Sequence, residues 1–296
     1  MTNKQKDKLA TLLLTGIAVL LIAVLIGLLG FVISKGAAKL NWDFITSPPD
    51  MLNAGGGIGP QLFNSLYLLV LTMCFAVPIG LGAGIYLAEY APDRKWVQMI
   101  RMSIEVLSSL PSIVVGMFGL LLFVSMTGWG YSLISGALAL TVFNLPLLVR
   151  ITEDALRSVP QDQKEASYAL GVTKWKTIVS VLLPTALPGL VTGFVLASGR
   201  VFGEAAALLF TAGMTSPDIQ FHNLNLSSPS SPWNVFRPAE SLAVHIWKIN
   251  AEGLVADARE IADGAAAILV IAVLLFNGGA RWFGRWLHKR LTKIAA

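Results

Sequence analysis

The fold is decided by residues 165–184, EASYALGVTKWKTIVSVLLP, a polar and basic interruption between two long apolar runs. It opens on Glu165-Ala166-Ser167-Tyr168-Ala169-Leu170, a run of residues that suits a short helix. Gly171 then stops it, as glycine does just past a helix end. Val181, Leu183 and Pro184 begin the next apolar run. A short helix, a glycine turn and a second helix make a compact knob on a membrane loop. Such a knob fits a groove on a partner.

Composition places the chain in lipid. Of its 296 residues, 55% are hydrophobic and 13% are charged, and its mean hydropathy is +0.68. A soluble domain carries roughly 25% charged residues, so this surface is too poorly charged to face water throughout. The formal charge of +5 does not indicate nucleic acid, because the basic residues flank apolar runs as the positive-inside rule expects. The single cysteine, Cys74, lies in an apolar run and makes no internal disulfide. His222, His245 and His288 are far apart and have no metal-ligand spacing, so no metal site is expected.

Six spans are expected, over about 9–33, 62–87, 100–124, 131–149, 184–212 and 261–283, in one all-α membrane domain covering 1–296. The first is too long for the core of a signal peptide and lacks a clear cleavage site. Pro48-Pro49 and the glycine run 55–59 give a flexible loop before span two, and that run has amides to offer an anion at a helix start. Gly80, Gly82 and Gly84 allow close helix packing in span two. Pro111 falls inside span three, where it removes a backbone bond and kinks the helix. Residues 150–183 form a long polar loop, 213–240 a Ser- and Pro-rich stretch, and 241–260 an amphipathic surface helix. With both ends inside, sixteen Lys and Arg lie on inner segments and five on outer ones (Lys35, Lys39, Arg237, Lys248 and Arg259). The bias sets both termini in the cytoplasm.

The pattern Glu165-Ala166-Ser167, Gly171, Val181, Leu183-Pro184 resembles the cytoplasmic signature of ABC importer permeases, with Ser for a second Ala and Val for Ile. Other stretches are similar to the phosphate-uptake (Pst-type) permeases: Gly57-Ile58-Gly59-Pro60, Gly84 through Pro92 (GIYLAEYAP), Pro111 through Leu120 (PSIVVGMFGL), and Gly199-Arg200-Val201-Phe202-Gly203-Glu204 with Leu208 through Ala212. The resemblance covers nearly the whole chain and is to the A-type of their two permease subunits. Where that family usually reads G-E-T-A-P, this chain reads Gly203-Glu204-Ala205-Ala206-Ala207. The resemblance implies a six-helix type I importer (MetI-like) architecture in a bacterial plasma membrane. It implies a PstC-like second permease, two copies of a PstB-like cytoplasmic ATPase and a PstS-like extracytoplasmic phosphate-binding protein. Transport is by alternating access. ATP and Mg belong to the ATPase, and no cofactor is expected on this chain, which is not itself an enzyme.

Arg200 and Glu204 are the clear charges deep in an apolar run. Arg200 lies about 16 residues into span five, roughly 24 Å at the helical rise, close to the midplane. A charge there costs at least ~2.5–3.5 kcal/mol and faces a cavity or a partner. The planar guanidinium suits a phosphate oxyanion. Glu204, one turn on, either steadies Arg200 or pairs with it when no anion is bound, and a purely structural i,i+4 pair is the alternative. Pro111 and Ser112 either open a helix near the pathway or form an ordinary packed kink. Glu105 is expected to pair with Arg101, one turn away. Glu165, Ala166, Ser167, Leu170 and Gly171 are the mechanical coupling element, with no catalytic role.

No G-x-x-x-x-G-K-[ST] loop is present, so ATP binding by this chain is not expected. No H-E-x-x-H or G-x-S-x-G supports a membrane hydrolase. The rival readings are a permease for sulfate or molybdate and a stand-alone secondary transporter. The latter has no use for a basic coupling loop and should show inverted repeats.

Overall fold

The computed structural model describes residues 3–50, 54–92, 94–253 and 256–294. Among them every regular element is helical. Five helices are long and apolar enough to cross a membrane, and a bent pair brings the number to six when its two halves are counted as one broken span. The spans therefore run as α1 (Asn3–Gly36), α3 (Gly59–Ile85), the pair α4 (Lys95–Ser108) and α5 (Ser112–Gly119), α6 (Leu133–Arg157), α9 (Leu183–Gly203) and α12 (Ala258–Ile294). Short elements fill the ends: α2 (Trp42–Thr46), α7 (Gln161–Ala169), α8 (Lys174–Thr177), α10 (Ala206–Leu209) and α11 (Leu242–Glu252). The end of the bundle that carries α7 and α8 is called the knob end below.

The centre is α3, α6 and α9. Gly80 and Gly84 make α3 flat where α6 crosses it. A Cβ on Gly80 would lie 2.7 Å from the Leu148 Cβ, and one on Gly84 would run into the Thr152 side chain, whereas Gly82 faces open space. Without bulk at those two positions the backbones approach closely. Leu68, Leu69, Leu133, Leu140, Val201, Phe202 and Leu208 fill the main core beside them. By contrast α1 buries none of its most apolar stretch. It packs on α12, where a Cβ on Gly36 would collide with the Asp263 carbonyl oxygen.

The third span is not a kinked helix. Its two halves meet at 99°, and Pro111 stands outside both helices with φ −60° and ψ 137°. A residue before proline is pushed out of the helical region, so α4 ends at Ser108 and a new helix starts at Ser112. The Pro111 carbonyl accepts the N–H groups of Val114 and Val115, at 3.0 and 3.3 Å, and so opens that helix. α5 continues through a π-helical segment, Leu120–Ser125. At 14 residues each, α4 and the extended α5 reach about 21 Å, too little for either to cross a core of about 30 Å alone.

Four other expectations change. Span four runs on to Arg157, so Arg150 and Arg157 belong to a helix and the loop proper is shorter. Span five stops at Gly203, and α10 resumes after Glu204 and Ala205. The helix expected over 241–260 is confined to Leu242–Glu252, and its Leu242, Ala243, Val244, His245 and Lys248 are buried rather than laid on a surface. The glycine run is not loose, and most of its amides are already used. Gly55 N–H donates to Asp257 Oδ2 at 3.0 Å. Gly57, Ile58 and Gly59 N–H donate to the carbonyls of Pro48, Phe44 and Ser47 at 2.9, 2.9 and 3.0 Å. A Cβ at Gly56, Gly57 or Gly59 would collide with nearby backbone, so the glycines there serve close approach, and four of the five amides over 55–59 are taken. Burial pushes the Asp257 carboxyl up, but the Lys39 ammonium and the Gly55 amide outweigh it and hold it below its ordinary value.

Candidate functional site

Arg200 sits in the last turn of α9, three positions from its end. Its guanidinium lies over the ring of Phe143, 4.1 Å from the centroid. Phe143 is ten residues into α6 and fourteen from its end, so the stacked pair lies about 15 Å from one end of that helix and about 21 Å from the other. Arg200 therefore stands at the end of α9 but beside the middle of α6. A cation over an aromatic face is attracted by the ring quadrupole, by about 1 kcal/mol for a half-buried pair. The last turn of a helix also favours positive charge, because its free carbonyls point there. Neither contact neutralises the guanidinium, and among the described residues Arg200 has no ion pair.

Glu204 does not pair with Arg200. Its Oε1 accepts the N–H of Ala207 at 3.0 Å, closing the start of α10. The difference from the expected pair has a local cause. The helix ends at Gly203, and Glu204 adopts an extended conformation with ψ 120°, so the i,i+4 spacing no longer puts the two side chains on one face. The departure at Ala205–Ala207 bears on this directly. A proline at position 207 has no N–H, so the cap that occupies Glu204 depends on alanine being there. Alanine also fits the neighbour: a Cβ added to Gly116 of α5 would lie 2.7 Å from the Ala207 Cα. That contact brings α5, and hence the Pro111–Ser112 corner, alongside the segment that follows Glu204. No hydrogen bond or ion pair among the described residues joins Pro111 or Ser112 to Arg200 or Glu204. Pro111 is exposed and Ser112 half-buried.

The knob is built as its sequence suggests. α7 ends at Ala169, and Gly171 takes φ +75°, a left-handed conformation that costs side-chain-bearing residues energy and glycine little. The turn is closed by Gly171 N–H to the Tyr168 carbonyl at 2.9 Å and Val172 N–H to the Ser167 carbonyl at 3.2 Å. The buried Ser167 and Thr177 hydroxyls bond each other at 2.8 Å and clasp α7 to α8. Glu165 accepts from Gln161 Nε2 at 3.3 Å. Ala166 and Gly171 are exposed, Leu170 is 82% exposed and Trp175 60%. An apolar groove of about 490 Å³ runs between Ala166, Leu170, Val172 and Val181. This face has the chemistry of a docking surface.

The knob is bolted to the bundle by a residue without a sequence-assigned role. Glu89, its side chain 3% exposed, receives Lys164 Nζ at 2.6 Å. Its carbonyl accepts from Lys174 Nζ, and that ammonium also lies 4.8 Å from the Tyr90 ring centroid. Beside it, Glu153 receives both Arg101 and Arg157 at 2.9 Å, and Arg150 reaches Glu105 at 3.4 Å. Arg101 therefore pairs with Glu153 of α6 and not with Glu105 on its own helix. The signal that would have found these partners is the presence of buried-side acids at helix ends, next to the basic loop. Phe143 carries no such signal, since one aromatic in an apolar helix reads as core.

A family model described as a binding-protein-dependent transport system inner membrane component matches residues 80–293. The chain is 57% identical over 292 residues to the probable ABC transporter permease protein YqgI of Bacillus subtilis, covering 99% of both. It is 38% identical over 251 residues to the phosphate transport system permease protein PstA of Xylella fastidiosa, covering 84% of this chain and 82% of that one. It is 34% identical to PstA of Haemophilus influenzae, over 91% and 92% of the two chains. Among solved structures, a chain of a bacterial alginate ABC transporter bound to its periplasmic protein superposes with a TM-score of 0.64 at 14% identity, over 97% and 96%. One of the MetNI methionine ABC transporter gives 0.57 at 21%, over 77% and 93%. The structural likenesses concern the fold alone. With a family match running from the second half of α3 to the last turns of α12, the chain belongs to the inner membrane components of binding-protein-dependent transport systems, the permease subunits of ABC importers.

Proposed function

We propose that this permease carries phosphate, as the A-type membrane subunit of an ATP-driven phosphate importer with both termini in the cytoplasm. The observation that carries the reading is Arg200: a guanidinium beside the middle of α6, stacked on Phe143 and, among the described residues, with no acidic partner. In an apolar bundle such a charge seeks an anion, and its fork matches phosphate oxygens. The relatives named PstA support the same substrate. Glu204, engaged at Ala207, leaves the guanidinium open to that anion, and the Pro111–Ser112 corner lines its approach from the α5 side.

The knob is the coupling element. Glu165, Ala166 and Gly171 shape it, Ser167 clasps it, and Leu170 projects into the groove of a PstB-like ATPase. Two copies of that ATPase bind ATP and Mg, a PstC-like permease completes the membrane pathway, and a PstS-like protein delivers phosphate. Closure of the ATPases moves the knob, and the Lys164–Glu89 pair passes the motion to the end of α3.

The test is ATP hydrolysis by the reconstituted four-component complex. Phosphate-loaded binding protein should stimulate it and sulfate-loaded protein should not. Stimulation by sulfate or molybdate instead keeps the architecture and moves the substrate. A chain that transports with no ATPase present is a stand-alone secondary transporter, and the proposal fails.

A further inference from the structure

The last turns of α12 carry a cationic groove that neither the substrate pathway nor the knob uses. It lies between α9 and α12 at the knob end, has a volume of about 440 Å³, and is lined by Pro188, Val191, Arg281, Gly284 and Arg285 among others. The groove exists because of two sequence features. Gly284 has no side chain where Val191 presses in, and a Cβ there would collide with the Val191 methyls. Pro188 sits inside α9 and has no N–H, so the carbonyl of Pro184, four residues earlier, loses its helical donor. His288 Nδ1 lies 3.3 Å from that carbonyl oxygen and serves it in the Nδ1–H tautomer, which fixes α12 against α9.

Arg281 and Arg285 are one turn apart and project on this face. Among the described residues neither makes an ion pair or a hydrogen bond. No acid among the described residues lines the groove. The nearest acid on α12, Asp263, is eighteen residues back, about 27 Å along the helix, and α9 contains none. On the other side of the same turns, Trp282 is 65% exposed, Phe283 53% and Trp286 39%, in the manner of aromatic side chains at a membrane–water boundary. Arg290 stacks on Trp286 at 4.2 Å.

We infer that the α9–α12 groove binds the headgroup of an anionic phospholipid, with Arg281 and Arg285 on the phosphate and the acyl chains running down the apolar faces of the two helices. Two neighbouring cations between membrane-spanning helices, without a protein counter-ion, match that chemistry. The groove lies between spans and beside exposed indoles, which suits a lipid phosphate better than a dissolved one. The inference does not depend on which solute the permease carries.

Native mass spectrometry of the full chain in detergent tests it, with phosphatidylglycerol, phosphatidylcholine and inorganic phosphate as probes. Each cation contributes roughly fivefold near such a surface, so phosphatidylglycerol should be held about 30-fold more tightly than phosphatidylcholine. The Arg281→Gln/Arg285→Gln variant should reduce that preference to near unity. Arg259→Gln, an exposed cation at the other end of α12, should leave it unchanged. If the double variant does not fold, as judged by circular dichroism, Arg281→Gln alone should lose about fivefold. Equal retention of the two lipids, or variants that keep the wild-type preference, overturns the inference. So does displacement of phosphatidylglycerol by inorganic phosphate, which assigns the groove to a free anion.

Discussion

The loop over 213–240 and the middle of the helix bundle each hold an arginine, and they treat it in opposite ways. Arg237 is 1% exposed. Its Nη2 donates to Asn64 Oδ1 at 2.7 Å, its Nε to the Ser231 carbonyl at 3.1 Å, and other N–H groups to the carbonyls of Pro232 and Pro238 at 3.3 Å. Burial lowers its pKa to about 10, which leaves it protonated at neutral pH. Arg200 has a ring face and no comparable set of acceptors. The first arginine is consumed by the fold and ties a loop to α3. The second keeps its hydrogen-bonding capacity in reserve. A buried charge whose donors are all spent is a fastener; a half-buried one whose donors are free is what the proposed binding role requires.

Four substitutions break or sharpen this contrast. Arg237→Leu strands Asn64 Oδ1 and three carbonyls, each worth about 1 kcal/mol or more. It should lower stability by about 4 kcal/mol, seen as a large drop in thermal unfolding temperature in detergent. Arg200→Ala should do the reverse, with unfolding unchanged and the complex assembled, while phosphate uptake falls at least ~100-fold, about 2.7 kcal/mol on the barrier. Normal uptake in that variant removes the substrate role. Lys164→Met leaves the Glu89 carboxylate buried and unpaired. The lysine is 23% exposed, so the cost should be about 2 kcal/mol, below the range for fully buried pairs, and ATP hydrolysis should uncouple from uptake. Unaltered coupling would show that the bolt is not a lever. Phe143→Leu removes only the ring face, worth about 1 kcal/mol. It should weaken half-saturation by phosphate about fivefold with maximal uptake kept. An unchanged half-saturation means the ring does not position the guanidinium.

What the sequence disclosed follows the range over which each force acts. Hydropathy is summed over twenty residues, and it placed both ends of α3 and the starts of α6, α9 and α12 to within three positions, but missed the ends of α6, α9 and α12 by 8, 9 and 11. The knob was legible because Gly171 and its flanking residues act locally. Breaks inside spans were harder. Pro111 reads as a kink, since membrane helices tolerate proline, and only the packing of α5 beside Ala207 separates a kink from a 99° corner. The stop at Gly203 has no breaker after it, because Ala205–Ala207 is helix-favouring. Partners distant in sequence stayed hidden. Arg101 reads as the partner of Glu105, four residues on, yet it bonds Glu153, fifty-two residues away. Asn64 and Arg237 are separated by 173 residues, and no periodicity connects them. The glycines at 56, 57 and 59 read as a loose loop because composition does not reveal what a missing side chain makes room for.

The placement of α1 has a consequence for how the protein is made. This helix packs on α12, the last element of the chain, and 221 residues separate the end of one from the start of the other. At ribosomal speeds of 5–20 residues per second, its docking site is roughly 10 to 40 s from existing when α1 leaves the ribosome. Through that interval α1 must persist as a lone helix in the bilayer, which its uninterrupted apolar stretch allows. α1 is thus made well before the helix that receives it, and it joins the bundle late.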